Sequence, residues 1–522
     1  MKSQNLNAFI YAAIVAMGGF LFGLDAALIA GTTDYLVEEF GLTSIQLGTV
    51  VSAPALGVLI ALPFAGYICD RFGRKKAILT VAALYLISAV ASAYAPSYEV
   101  LVVARFLGGL AFSSISLASM YIGEIAPPKW RGKLVFMTQF NIVVGLSGAY
   151  FVNLWIYQWA GSGAGWVQAL GIDTYIWRWM LGSEIPVAII WFLLVLIIPE
   201  SPSWLFLRER VEDSKRTLRK LLPDEAAVEH HIVEMKESLL RSADEGTIKA
   251  QLKELFGNSM RLTFIIALTI AIAQQATGIN AILFYAQTVF KQLGIGTDAA
   301  FSQAIWVGLI SVVFTTLGLL LIDKIGRRPM VIGGMLWVII SLGVSSYNFH
   351  QATYTLTPES IANLEEIPDA SRLAPMIGVQ YDSDIAFKRA LDEALGTTEA
   401  QKYQSILLEN AVTMNATLVL IGILSFIAAF QFSVGPVMWV LFSELFPISV
   451  RGIAIPFFTI VTSLTNYVVQ KFFPWQLENM GMSTILLFYA VTVAVGMTIL
   501  FFTLIETKNM SIEEIQEAMA KK

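Results

Sequence analysis

The chain has 522 residues, 56% of them hydrophobic and only 14% charged, with a net charge of −5 and a mean hydropathy of +0.67. A soluble domain carries about 25% charged residues, so the surplus apolar surface excludes an ordinary water-soluble fold and leaves lipid to cover it. The charge balance is mildly acidic and the basic residues gather in particular loops, which argues against nucleic acid as a partner.

A helix needs about 20 apolar residues to cross a bilayer. The chain offers twelve such runs, at 8–31, 46–68, 77–95, 98–121, 134–157, 176–198, 261–290, 301–322, 329–347, 411–442, 453–474 and 483–505. The first resembles a signal peptide at its start, but no small-residue cleavage site ends a short apolar region, so it reads as span 1. Arg71, Arg74, Lys75 and Lys76 separate spans 2 and 3. Lys129, Arg131 and Lys133 follow span 4, and Lys324, Arg327 and Arg328 follow span 8. The opposite loops, 32–45 and 158–175, contain no Lys or Arg. The excess of positive charge on one side predicts a multi-pass protein of the plasma (inner) membrane with both termini cytoplasmic. Residues 201–258 are charged and helix-forming, a cytoplasmic linker between two halves, 1–200 and 259–522. Residues 349–409 form a polar loop outside, long for an inter-span connection, and a short tail follows span 12.

The two halves repeat each other. Asp70-Arg71-Phe72-Gly73-Arg74-Lys75 recurs as Asp323-Lys324-Ile325-Gly326-Arg327-Arg328. Glu124-x-x-Pro127-x-x-x-Arg131-Gly132 recurs as Glu444-x-x-Pro447-x-x-x-Arg451-Gly452, and Pro199-Glu200-Ser201 is echoed by Ile505-Glu506-Thr507. Equivalent motifs in one order imply two six-helix halves that rock about a central site. Cys69 is the only cysteine, and His230, His231 and His350 lie outside the apolar runs, so no disulfide, metal site or cofactor is expected.

The motifs GFLFGLD, DRFGRK, ARFLGG, YIGEIAPPKWRG, WRWM, PESPSWL, QQATGIN, DKIGRR, GPVMWVLFSELFP and ETK occur in that order from span 1 to the tail. In combination they resemble the sugar porter family of the major facilitator superfamily, most nearly its bacterial xylose– and glucose–proton symporters. The resemblance implies an all-α membrane protein of the major facilitator fold, a transporter rather than an enzyme, working as a monomer in the lipid bilayer on a pentose or hexose.

A sugar is a ring of hydroxyls with an apolar face, suited to amides that donate and accept and to an aromatic surface. Gln274, Gln275 and Asn280 in span 7, Gln139 in span 5 and Trp439 in span 10 match sugar-contacting positions of the family, and Phe284 and Tyr285 match its outer gate. Three positions depart from the pattern: Ser463 stands for a common Trp, Ser311 for an Asn that contacts sugar, and Val434 for a Trp before Gly435-Pro436. Gln431, one turn before Gly435, is a candidate replacement contact. Arg71, Arg74, Glu124, Arg131, Glu200, Asp323, Arg327, Glu444 and Arg451 suit a cytoplasmic gate of charged helix ends that pair when the inner side closes. Asp25 is an acid inside an apolar span, a costly placement that marks function. With Arg105 in span 4, and with Glu184 assisting from span 6, it matches the proton site of the coupled members. Proton symport is therefore expected. Uncoupled facilitated diffusion is the alternative, sodium coupling a weaker one, and a non-transporting sugar sensor weaker still.

Overall fold

A computed structural model describes residues 3–126, 128–222, 224–242, 248–362 and 370–520. Twelve of its helices are long and apolar enough to cross a membrane. Spans 1–6 are Leu6–Gly31, Ser44–Phe72, Arg74–Ala93, Tyr98–Ile125, Leu134–Ala160 and Ile176–Val195. Spans 7–12 are Asn258–Phe284, Thr297–Ile325, Arg327–His350, Ala416–Leu445, Ser449–Asn479 and Gly481–Thr503. The side carrying the basic loops is referred to as inner, the other as outer.

Local chemistry sets where the helices start and stop. Thr43 and Gln46 close a reciprocal cap at the outer start of span 2. Spans 2 and 3 meet at Gly73 with φ 97°, and spans 8 and 9 meet at Gly326 with φ 102°. That backbone favours glycine. A Cβ at Gly73 would also lie 2.3 Å from Glu200 Oε2, and one at Gly326 would lie 2.6 Å from Glu506 Oε2. The repeated motif thus marks one turn, built twice, with a carboxylate seated on each.

Span 1 packs along span 5, span 2 along spans 4 and 11, span 5 along span 8, and span 9 along spans 10 and 12. The contacts of spans 2 with 11 and 5 with 8 join the halves. They close tightly toward the outer side: a Cβ at Gly48 would fall 1.9 Å from the Lys471 carbonyl oxygen, and the Tyr157 and Phe301 rings stack at 4.5 Å.

The charged linker forms helices Pro202–Leu207, Val211–Leu221, Glu225–Ser242 and Ile248–Leu255. The first lies under the N-terminal half, where Trp204 and Arg208 both donate to the Asp70 carbonyl at 2.8 Å. The last packs on span 11 through Ser449 and Glu254. The tail helix Ile512–Ala520 docks on span 10, with Gln516 donating to the Leu445 carbonyl at 2.7 Å.

The outer polar segment is a small folded unit. Strands β1 (Thr353–Thr355), β2 (Gln380–Tyr381) and β3 (Val412–Thr413) form an antiparallel sheet in the order β2-β1-β3. Helices Asp384–Leu395 and Thr397–Ala411 pack with it around a core of Tyr354, Leu373, Phe387, Leu391 and Leu407. The unit rests on the C-terminal half. Buried Lys388 bonds both Asp384 and the Leu477 carbonyl, and Glu409 lies against Gly294 and Gly296 ahead of span 8.

Candidate functional site

Span 7 is interrupted where its amides are. Its helix runs Arg261–Ala276 and restarts at Ile279–Phe284, with Gly278 between them at φ 78°. The break turns Gln274, Gln275 and Asn280 into one chain of side chains. Gln275 Nε2 donates to Gln274 Oε1 at 2.8 Å, and Asn280 Nδ2 donates to Gln275 Oε1 at 2.9 Å. Asn280 Nδ2 also donates across to Asn466 Oδ1 of span 11 at 2.8 Å, and Gln470 Nε2 donates to the same oxygen at 2.6 Å. Sequence reasoning singled out Asn466 only as a landmark and passed over Gln470. Their signal was two amides one turn apart on an apolar helix.

The other proposed sugar contacts are more scattered. Gln139 is half-buried on span 5, and Trp439 is 43% exposed on span 10, edge-on to Phe442. Gln431 is buried and accepts from Thr315 of span 8 at 3.1 Å. Ser311 is fully buried and donates to its own helix at the Val307 carbonyl. Toward the outer side, Phe284 and Tyr285 are buried. Tyr285 donates to the Gln470 carbonyl at 3.2 Å and packs against Phe473.

Arg105 donates to Asp25 in a buried ion pair joining spans 1 and 4. Glu184, 1% exposed, enters the electrostatic neighbourhood of both from the start of the second helical segment of span 6. Asp25 Oδ2, Arg105 Nε and Glu184 Oε2 are buried without a hydrogen-bond partner among the described residues. Two carboxylates and one guanidinium are therefore buried together between spans 1, 4 and 6.

The inner charges form two matching networks. Arg74 binds Glu124 and Asp70, each at 3.0 Å, and Arg327 binds Glu444 at 2.7 Å and Asp323 at 3.0 Å. Ser201 donates to Glu124 as Thr507 does to Glu444. Glu200 accepts from the Lys75 amide, and Glu506 accepts from the amides of Arg327 and Arg328. These bonds tie helices within a half. Arg451 donates to the Phe446 carbonyl and Arg71 to the Tyr67 hydroxyl; among the described residues neither makes an ion pair. The Arg131 side chain lies outside the described residues.

Among the described residues, the hydrogen bonds and ion pairs between the halves all lie toward the outer side. They include Thr33 with Thr288 at 3.1 Å, Lys291 with Asp34 at 2.5 Å, Tyr150 with the Leu283 carbonyl at 2.7 Å, and Tyr157 with Asp298. These contacts seal the outer side.

A helical bundle of two like halves, with a broken helix carrying polar groups at mid-depth, defines a secondary transporter of the major facilitator type. The sugar (and other) transporter family matches residues 11–362 and 397–519, and the chain belongs to that family. It is thus a transporter and not an enzyme. The arabinose-proton symporter of Bacillus subtilis is 29% identical, over 97% of this chain and 93% of its own length. The D-xylose-proton symporter of Escherichia coli K12 is 31% identical, over 92% and 88%. The inward-open structure of the xylose transporter XylE from E. coli superposes with a TM-score of 0.73 at 27% identity, covering 98% of this chain and 99% of that one. XylE bound to 6-bromo-6-deoxy-D-glucose gives 0.68 at 28% identity, covering 99% and 100%.

Proposed function

We propose that the chain carries a monosaccharide, a pentose or hexose, across the plasma membrane together with a proton, as a monomer with both termini in the cytoplasm. The observation that carries this reading is the buried cluster of Asp25, Arg105 and Glu184. A buried net charge is expensive, so a pocket holding two acids and one base favours a proton on one acid. A swing that brings water to Asp25, or loosens Arg105 from it, changes the hold on that proton. Proton affinity then differs between inward- and outward-facing states, which is what coupling requires. The amides of Gln274, Gln275, Asn280 and Gln139, with the face of Trp439, form the sugar site. Gln431 of span 10 and Ser311 of span 8 add to it, while Phe284 and Tyr285 close it from outside. The inner networks hold each half rigid, and their charged ends meet across the halves when the inner side shuts.

The test is uptake into proteoliposomes. Asp25→Asn should abolish accumulation driven by a pH gradient yet still exchange labelled sugar across the membrane. If the unaltered protein moves sugar with no accompanying proton flux, uncoupled diffusion is the function instead. Accumulation that follows a sodium gradient would assign the coupling ion to sodium.

A further inference from the structure

The amide row has a direction, and one residue outside the expected set fixes it. A primary amide offers two N–H donors and one oxygen with two acceptor positions. Asn280 uses both donors, on Gln275 Oε1 and Asn466 Oδ1, which leaves it only an oxygen to offer. Asn466 receives two donors on its oxygen, from Asn280 and Gln470, which leaves it only its N–H groups. Gln275 spends its oxygen and one N–H within the row and keeps the other N–H, and Gln274 keeps its N–H groups. The row therefore presents donor, acceptor, donor from Gln274 through Asn280 to Asn466. Gln470 is 1% exposed, one turn beyond Asn466 on span 11, so it sits behind the row rather than at its face. Its backbone carbonyl takes the Tyr285 hydroxyl, which ties it to the outer end of span 7.

We infer that Gln470 is a positioning residue for sugar recognition: its side-chain N–H holds the Asn466 oxygen away from the substrate, so that Asn466 meets the sugar as a hydrogen-bond donor. This rests on the reading of the amides as the sugar site. A sugar hydroxyl opposite Asn466 then acts as acceptor. Fluorine in place of that hydroxyl keeps some accepting power, whereas hydrogen keeps none. Without Gln470, one of the two bonds that orient Asn466 is gone and the amide can turn over. The Tyr285 link adds that the orientation is held while the outer side is sealed.

The experiment measures transport by proteoliposomes of D-xylose and D-glucose and of the monodeoxy and monofluoro analogues of whichever is carried. In the wild type, one ring position should favour the fluoro over the deoxy analogue by about tenfold in KM. Gln470→Met, close in size and apolar, should raise KM for the parent sugar about five- to tenfold, leave kcat within about twofold, and erase the fluoro preference at that position. In an Asn466→Ala background, Gln470→Met should change nothing further. An unchanged KM and fluoro preference in Gln470→Met overturns the inference, as does a fall in kcat alone. If Gln470→Met does not fold, Gln470→Ser, too short to reach Asn466, takes its place with the same outcomes. Failure of both to fold assigns Gln470 to packing and also overturns it. Asn280→Ala separates the two layers. Wild-type KM there refutes the sugar site itself, whereas a raised KM with an unaffected Gln470→Met refutes only the role of Gln470.

Discussion

Neutralising Asp34 should open the outer side. Asp34 and Lys291 form an ion pair between the halves, with side chains 40% and 12% exposed. An ion pair open to water on one side contributes about 0.2–1 kcal/mol. The neighbouring bond between Thr33 and Thr288 remains in Asp34→Asn, so the loss is confined to the charge. At about 1.4 kcal/mol per factor of ten, up to about 1 kcal/mol raises the outward-open fraction by no more than about fivefold. The assay is labelling of a cysteine placed at Phe284, which is buried in the sealed state, by a maleimide that cannot cross the bilayer. The native Cys69 is fully buried and adds little background. Labelling of the Asp34→Asn protein should run about 1.4 to five times faster. The exchanged pair, Asp34→Lys with Lys291→Asp, should return toward the wild-type rate, and high salt should shrink the difference between wild type and variant. An unchanged or slower rate in Asp34→Asn would refute the reasoning, because the pair would then not be holding the halves together.

Replacing Glu506 with Ala removes the acceptor of the Arg327 and Arg328 amides, a loss of about 2–3 kcal/mol that should lower the melting temperature of the purified protein by several degrees. Gly278→Ala places a methyl group 2.3 Å from the Tyr489 ring on a backbone of φ 78°, and should cost about 1–3 kcal/mol and most of the transport, read by thermal unfolding and uptake. Burial beside Gly296 pushes the Glu409 carboxyl above its ordinary range although Lys291 pulls the other way. The folded state therefore holds that proton more tightly than the unfolded one. Docking of the outer unit should be firmest below the ordinary carboxylate value and loosen as pH rises through the raised one, which protease nicking of residues 352–414 at pH 4 and pH 8 would report.

The twelve spans were readable because each is a long apolar run, and their order because Asp70-Arg71-Phe72-Gly73 and its later copy mark the same turn twice. The helix ends were less so. Span 7 reads as one run to 290, whereas the structure breaks it at Gly278 and again at Tyr285, the last piece being Ala286–Lys291, since hydropathy does not report a break in the backbone. The folded unit around Phe387 was invisible as a domain because its strands are two or three residues long and its apolar residues are spread through polar sequence. Among the polar residues, Asp25 stood out by charge alone, while Gln470 gained meaning only from Asn466 and Tyr285, which no spacing along the chain brings together. The partners of the inner charges were likewise hidden: the repeat announces Arg327 and Glu444 but not that they belong to one half's own fastening.

The outer unit is fastened to the C-terminal half through Lys388 at the Leu477 carbonyl and through Glu409 at Gly294. It is therefore a handle, protruding from one moving body of an otherwise featureless pair. A fluorophore or an antibody fragment on it would travel with that body, and its separation from a mark on the other would serve as a ruler for each turnover.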